Sequence, residues 1–105
     1  MYIARFSYHV LPANRQRAME FIQREVDSAE HRQLNARMLV PLTRGHGGPA
    51  LQFELELENL EQFDNFRERG VQSDEETARW MHAFSEILVC PPEVELLRVE
   101  RPQRP

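Results

Sequence analysis

Residues 50–70, ALQFELELENLEQFDNFRERG, carry two periodicities in one run. In the first half Leu51, Phe53, Leu55 and Leu57 alternate with Gln52, Glu54, Glu56 and Glu58. Strand side chains point to opposite faces at period 2, so this half reads as a strand with one apolar and one acidic face. From Asn59 onward, Leu60, Phe63 and Phe66 recur at the spacing of a helix that buries one side. Asn59 is placed to cap that helix, with Gln62 in the reciprocal capping-box position and Gly70 to stop it. A helix that follows such a strand directly must fold back on the strand's Leu/Phe face. The acidic face is left on the opposite surface.

Toward the N-terminus, residues 2–10 also alternate, Tyr2, Ala4, Phe6 and Tyr8 against Ile3, Arg5, Ser7 and His9. This predicts a first strand, aromatic on one face and more polar on the other, ended by Pro12, which has no N–H for a ladder. A helix capped by Asn14 follows, with Met19, Ile22, Val26 and Ala29 as its core stripe. Glu20 and Arg24 are spaced as an i,i+4 pair on its wet side. Residues 34–42 predict a second, less regular strand, with Met38 and Val40 opposite Arg37 and Leu39. The segment TRGHGGP at 43–49 holds three of the four glycines and reads as a hairpin connection. An anion site at Arg44 and His46 is the weaker reading, because a strand rather than a helix N-terminus comes next.

Beyond Gly70, Ser73 and Glu76 form a capping box for a helix over residues 74–89. Trp80 or Met81, with Phe84, Ile87 and Leu88, face inward, and Pro91-Pro92 stops it. Residues 93–101 give a last strand, and 102–105 a loose tail. The order is strand, helix, strand, strand, helix in two pieces, strand. That is the ferredoxin-like α+β plan: one domain over residues 1–101, a four-stranded antiparallel sheet and the helices on one face. Its first and third strands are central neighbours, so Arg5 is expected to face Glu54 or Glu56 on the bare side.

Composition narrows the function. The 105 residues carry a formal net charge of −4, with thirteen arginines and no lysine. A Schiff-base lysine is excluded, and arginine is left as the permanent cation, suited to bidentate carboxylate pairing. Glutamates at 54, 56 and 58 would repel phosphate, so a nucleic-acid partner is not expected. Cys90 is the single cysteine; it reads as a small apolar residue near a helix end, and a reducing cytoplasm fits best. No apolar run approaches membrane-spanning length, so no membrane partner is expected. His82 and Glu86 share a helix face without an obvious third ligand, so neither a metal nor another cofactor is expected. No serine nucleophile elbow is present.

The run FELELENLEQFDNFRERG, followed by the Trp-bearing ARWMHAF, resembles the NIPSNAP-like branch of the dimeric α+β barrel superfamily. That superfamily also includes antibiotic-biosynthesis-type monooxygenases and haem-degrading enzymes. The opening strand, with a helix beginning near Pro12-Ala13-Asn14, fits as well. The likeness covers nearly the whole chain and rests on patterns rather than catalytic signatures. It implies a homodimer in which two sheets meet face to face, helices outside, with a pocket in each subunit between sheet and helices. Monooxygenase and haem-degrading relatives place an Asn, a Trp and a His or Tyr around that pocket. Here the first strand offers Arg5, Ser7 and His9 and no Asn.

The expectation is therefore a homodimer that binds a small apolar or aromatic ligand in a pocket lined by Phe6, Tyr8, Trp80, Met81 and Phe84. One alternative is a cofactor-independent monooxygenase in which Trp80 positions an electron-rich aromatic and His9 acts as base. The other is a non-catalytic interaction subunit.

Overall fold

The alternating run becomes strand β3 (Leu51–Leu57), which pairs with β1 (Tyr2–Tyr8) on one side and β2 (Asn35–Leu39) on the other. Strand β4 (Glu93–Arg98) adds to the far edge of β1, giving the order β2-β3-β1-β4 with every pair antiparallel. The computed structural model describes residues 1–71 and 75–100. Three α-helices complete it: α1 (Arg15–His31), α2 (Leu60–Val71) and α3 (Glu75–Glu86). This is the expected ferredoxin-like α+β plan, second helix in two pieces.

Register decides which side chains share a face. Tyr2, Ala4, Phe6 and Tyr8 stand opposite Leu57, Leu55, Phe53 and Leu51, whereas Ile3, Arg5 and Ser7 stand opposite Glu56, Glu54 and Gln52. A slip of one residue would exchange the two sets, so burial of the first set pins the register. Leu51, Phe53, Leu55 and Leu57 are buried, and α1 lays Ala18, Ile22, Val26 and Ala29 over the same side. Met19, expected in that stripe, is only partly buried; the shorter Ala18 takes the inner position. Each fully buried Leu, Ile or Phe contributes about 1.5–3 kcal/mol, against a few tenths for a surface i,i+4 pair. This face therefore dominates stability.

Element ends differ from the sequence expectation for local reasons. β1 stops at Tyr8; Val10 makes an isolated bridge to Leu88, and the Val89 N–H donates to the His9 carbonyl at 2.8 Å. That bridge also ends α3 at Glu86, short of Val89. β2 stops at Leu39, ahead of Pro41, which cannot donate to a ladder. Asn59 does cap α2, accepting the Gln62 N–H at 2.9 Å, but Gln62 Oε1 reaches back to the Glu58 N–H rather than to that of Asn59.

Asn14 occupies the N-cap of α1 without a side-chain bond, because a 3-10 turn at Pro12–Asn14 leads the chain in. α2 continues through Gly70 to Val71, so this glycine lies in the last turn and does not end the helix. Glycine costs a helix about 1 kcal/mol relative to alanine, which packing elsewhere can offset. At the end of α1, Gln33 adopts a positive φ of 61°. Its N–H and that of Leu34 donate to the Glu30 and Ala29 carbonyls, a Schellman closure built without glycine. The expected Ser73/Asp74 helix start, Arg101 and the tail 102–105 lie outside the described residues.

Candidate functional site

The helix side of the sheet holds a carboxylate in an apolar setting. Glu25 follows Ile22 by three residues and precedes Ala29 by four, so it shares the inner half of α1 with two core residues. Across from it, Tyr8 ends β1 on the helix-facing parity and is 3% exposed. The Tyr8 hydroxyl donates to Glu25 Oε2 at 2.9 Å. Burial pushes the Glu25 carboxyl up to about 7, and the Tyr8 hydrogen bond offsets only part of that rise. The phenol is itself pushed well above its ordinary range by burial, then by the Glu25 charge and hydrogen bond. Among the described residues no buried side-chain oxygen or nitrogen lacks a partner. Glu25 Oε1 has no hydrogen-bond partner among the described residues, and it is not sealed from solvent.

A run of rings leads outward from this pair. Tyr8 lies 4.9 Å from Phe84, Phe84 lies 5.1 Å from Phe21 at 14°, and Phe21 lies 6.5 Å from Trp80 at 18°. Helical spacing explains the assembly: Phe21 and Glu25 are one turn apart on α1, and Trp80 and Phe84 one turn apart on α3. Guanidinium groups cover the outer rings, Arg24 at 5.7 Å from Trp80 and Arg17 at 5.8 Å from Phe21. Arg24 also stands 3.8 Å from Glu76, directed toward α3 rather than toward Glu20. The arrangement offers stacked aromatic faces, two cations and a carboxylate that titrates near neutrality.

Of the five expected lining residues, Tyr8, Phe84 and Trp80 share this run, with Phe21 bridging the last two. Phe6 instead packs on Phe53 at 5.5 Å and Phe66 at 6.2 Å, in a second aromatic group beside α2. Met81 is 42% exposed and takes part in neither group. His9 stands 3.7 Å from Glu93, a β4 residue on the parity of the other sheet face. Sequence reasoning did not single out Phe21 or Glu25. A signal existed: Phe21 and Ile22 are adjacent apolar residues, which widens the stripe toward position 25.

On the bare face, Glu54 is 3% exposed and both its oxygens are engaged. Arg5 binds Oε1 at 2.7 and 2.8 Å, and Arg37 binds Oε2 at 2.7 and 2.9 Å. Burial alone would raise this carboxyl, but hydrogen bonds from Arg37 and Arg5 and their charges outweigh it and hold the group below its ordinary value. Around it, Gln52 donates to Ser7 at 3.1 Å and Asn35 to Glu56 at 2.9 Å. Half-buried Ile3, Leu39 and Leu97 share this face, and Val99 continues the parity of Leu97.

Elsewhere, an open cavity of about 240 Å³ lies at the opposite end of the strands, between Met1, Leu34, Asn35, Glu56 and Gln62, and none of the stacked rings lines it. In the 43–49 loop Arg44 donates to the Gly48 carbonyl at 2.8 Å, within its own turn. Among the described residues no group of three or more His, Cys, Asp or Glu could hold a metal ion; His82 and Glu86 meet at 3.0 Å in solvent. No helix of the described residues is long and apolar enough to cross a membrane.

No protein-family model matches the chain, and no curated protein matches it. Solved structures do. An uncharacterized NIPSNAP domain protein from Burkholderia xenovorans superposes with a TM-score of 0.73 over 95% of this chain and 95% of its own, at 13% identity. An antibiotic biosynthesis monooxygenase superposes with a TM-score of 0.70 over 96% of this chain and 100% of its own, at 12% identity. A protein from Deinococcus radiodurans assigned to the same class gives 0.67 over 99% and 97%, at 8% identity. Such identities speak for backbone rather than chemistry, and the chain has the fold of NIPSNAP-domain and antibiotic-biosynthesis-monooxygenase-type proteins.

Proposed function

We propose that the protein is a homodimer that binds a small apolar or aromatic molecule between α1, α3 and the sheet. The observation that carries the ligand half is the run Phe84–Phe21–Trp80, near-parallel rings drawn from two helices, whose outer members are only half-buried. A planar molecule extends such a run by offset stacking, worth about 0.5–1.5 kcal/mol beyond the area buried. Arg24 and Arg17, now over the outer rings, are long side chains that can move aside.

The dimer half is supported by the bare sheet face. Two-fold apposition would remove Ile3, Leu39, Leu97 and Val99 of both copies from water, at about 25 cal/mol per Å² of apolar surface. Glu54 already has both oxygens satisfied within its own chain, so covering it leaves neither carboxylate oxygen without a partner.

Two experiments test these halves separately. Sedimentation velocity is expected to give twice the 12.4 kDa chain mass; a monomer at all accessible concentrations removes the dimer. The chain has one tryptophan, so its single indole N–H resonance reports on Trp80 without ambiguity. It is expected to shift on titration with small aromatics, and Trp80→Ala is expected to weaken their binding about tenfold, the loss of one good stacking partner.

A second reading, cofactor-independent monooxygenation of an electron-rich aromatic, is favoured by the fold shared with proteins described as antibiotic biosynthesis monooxygenases. Oxygen uptake with hydroquinones checks it, and uptake no faster than in buffer removes it.

A further inference from the structure

We infer that Glu25 selects the ligand: its free Oε1 accepts a hydrogen bond from an aromatic molecule that carries a hydroxyl group, so phenols rather than plain arenes are the class this cleft takes. The inference rests on the aromatic cleft proposed above and adds the polar half of recognition.

Three observations converge on it. Glu25 Oε2 is occupied by the Tyr8 hydroxyl at 2.9 Å, which fixes the orientation of the carboxylate. Among the described residues Oε1 has no hydrogen-bond partner and it is not sealed off, so its ionised form is an acceptor available to a newcomer. Phe21, one helical turn away on α1, stacks on Phe84, which in turn contacts the ring of Tyr8. Glu25 and Tyr8 thus form a polar floor at the inner end of an apolar ring run. Small-molecule sites are built this way, with apolar walls and few polar groups that orient the ligand.

Among the described residues the charged groups nearby do not compete for this carboxylate. From its own helix, Arg24 turns to Trp80 and Glu76, and Arg17 to Phe21. From α3, Arg79 pairs with Glu75 and His82 with Glu86, both pairs in solvent. From β1 the group that meets it is Tyr8 alone, and His9 lies against Glu93. A carboxyl buried in such company stays protonated into the neutral range. The ionised acceptor that binds a hydroxyl best therefore appears only as pH rises past about 7.

The test uses two probes of similar shape, 4-methylphenol, which stays un-ionised between pH 5.5 and 8.5, and 4-methylanisole, which lacks the O–H. Both are titrated at those two pH values while the Trp80 indole N–H is followed by NMR, with the affinity measured by calorimetry. Binding of 4-methylphenol is expected to tighten about tenfold from pH 5.5 to pH 8.5, the gain from a neutral to a charge-assisted hydrogen bond. Binding of 4-methylanisole, which has no O–H to donate, is expected not to tighten as pH rises. Glu25→Gln, which keeps an acceptor for Tyr8, is expected to hold 4-methylphenol at its low-pH affinity throughout. Equal, pH-independent binding of the two probes overturns the role of Glu25 and leaves the cleft standing. A pH dependence that survives in Glu25→Gln overturns it too, by assigning the titration elsewhere. If neither probe moves the indole resonance, the cleft itself falls, and this inference with it.

Discussion

Glu54 and Glu25 are carboxylates withdrawn from water on opposite sides of one sheet, and their electrostatics are opposite. Glu54 meets two guanidinium groups that occupy both its oxygens, and it is held ionised below the usual carboxylate range. Glu25 meets a phenol hydroxyl and aromatic rings, and it is pushed up to about 7. Burial acts on both in the same direction, so the difference lies in the partners. A carboxylate with two cations has no capacity left for a ligand. One with a single neutral donor keeps an oxygen free and a proton that exchanges near neutrality. Structural ion pairs and binding groups can be told apart on that ground.

The two carboxylates respond oppositely to pH. The folded-state value of Glu54 is depressed, so its stabilisation is present above the unfolded value near 4.5 and is lost as pH falls through the folded one. That of Glu25 is raised, so its contribution is complete below 4.5 and is lost as pH rises from 4.5 through about 7.

The sharpest way to break the contrast is to remove the anion on the bare face. Glu54→Gln leaves two guanidiniums facing a neutral group. The cost is expected to be about 3 kcal/mol, at the low end for a broken buried pair because both arginines can reach water. Urea denaturation at pH 7 measures it, and the penalty should shrink below pH 4.5. Comparable in size, Glu25→Gln is expected to stabilise the fold by about 3 kcal/mol at pH 8 and by almost nothing at pH 4, from the rise of the carboxyl from 4.5 to about 7 at about 1.36 kcal/mol per unit. Thermal melts at the two pH values separate these outcomes.

Tyr8→Phe removes the donor while keeping the ring. A loss of about 1–2 kcal/mol is expected at pH 8, where the hydrogen bond goes to a charged acceptor, and less at pH 5. The Glu25 carboxyl should then titrate still higher, which a carboxyl NMR titration would follow. Smallest is Gln33→Gly, remote from both groups. It relieves a left-handed backbone at φ 61° and is expected to add about 0.5–1 kcal/mol at every pH. A pH-dependent effect there would show that the melts report something other than the two glutamates.

The same contrast shows how far the sequence could be read. Strict alternation in residues 2–8 and 51–57 makes parity legible, and parity with the ferredoxin-like strand order narrows the partner of Arg5 to Glu54 or Glu56; the register selects Glu54. Arg37 was not legible as the second cation. The β2 segment NARML alternates weakly, and the pairing Arg37↔Glu54 exists only once the strand register is set. Glu25 was hidden for a related reason. It stands among Arg24, Glu20 and Arg17, and only the approach of Tyr8 and α3 separates it from that wet face. Trp80 and Met81 were equally good inward candidates by spacing. Stacking of Phe21 on both Trp80 and Phe84 selects the tryptophan and turns Met81 outward. Local periodicity carries the strands and the core stripe, whereas the site depends on contacts between elements far apart in the chain.

The direct test of this account is a carbon-13 NMR titration of the side-chain carboxyls from pH 3 to 9. A midpoint near 7 is expected for Glu25, displaced upward in Tyr8→Phe, with Glu54 titrating below 4.5 in the same sample. A Glu25 midpoint in the ordinary range near 4.5, unmoved by Tyr8→Phe, would contradict it.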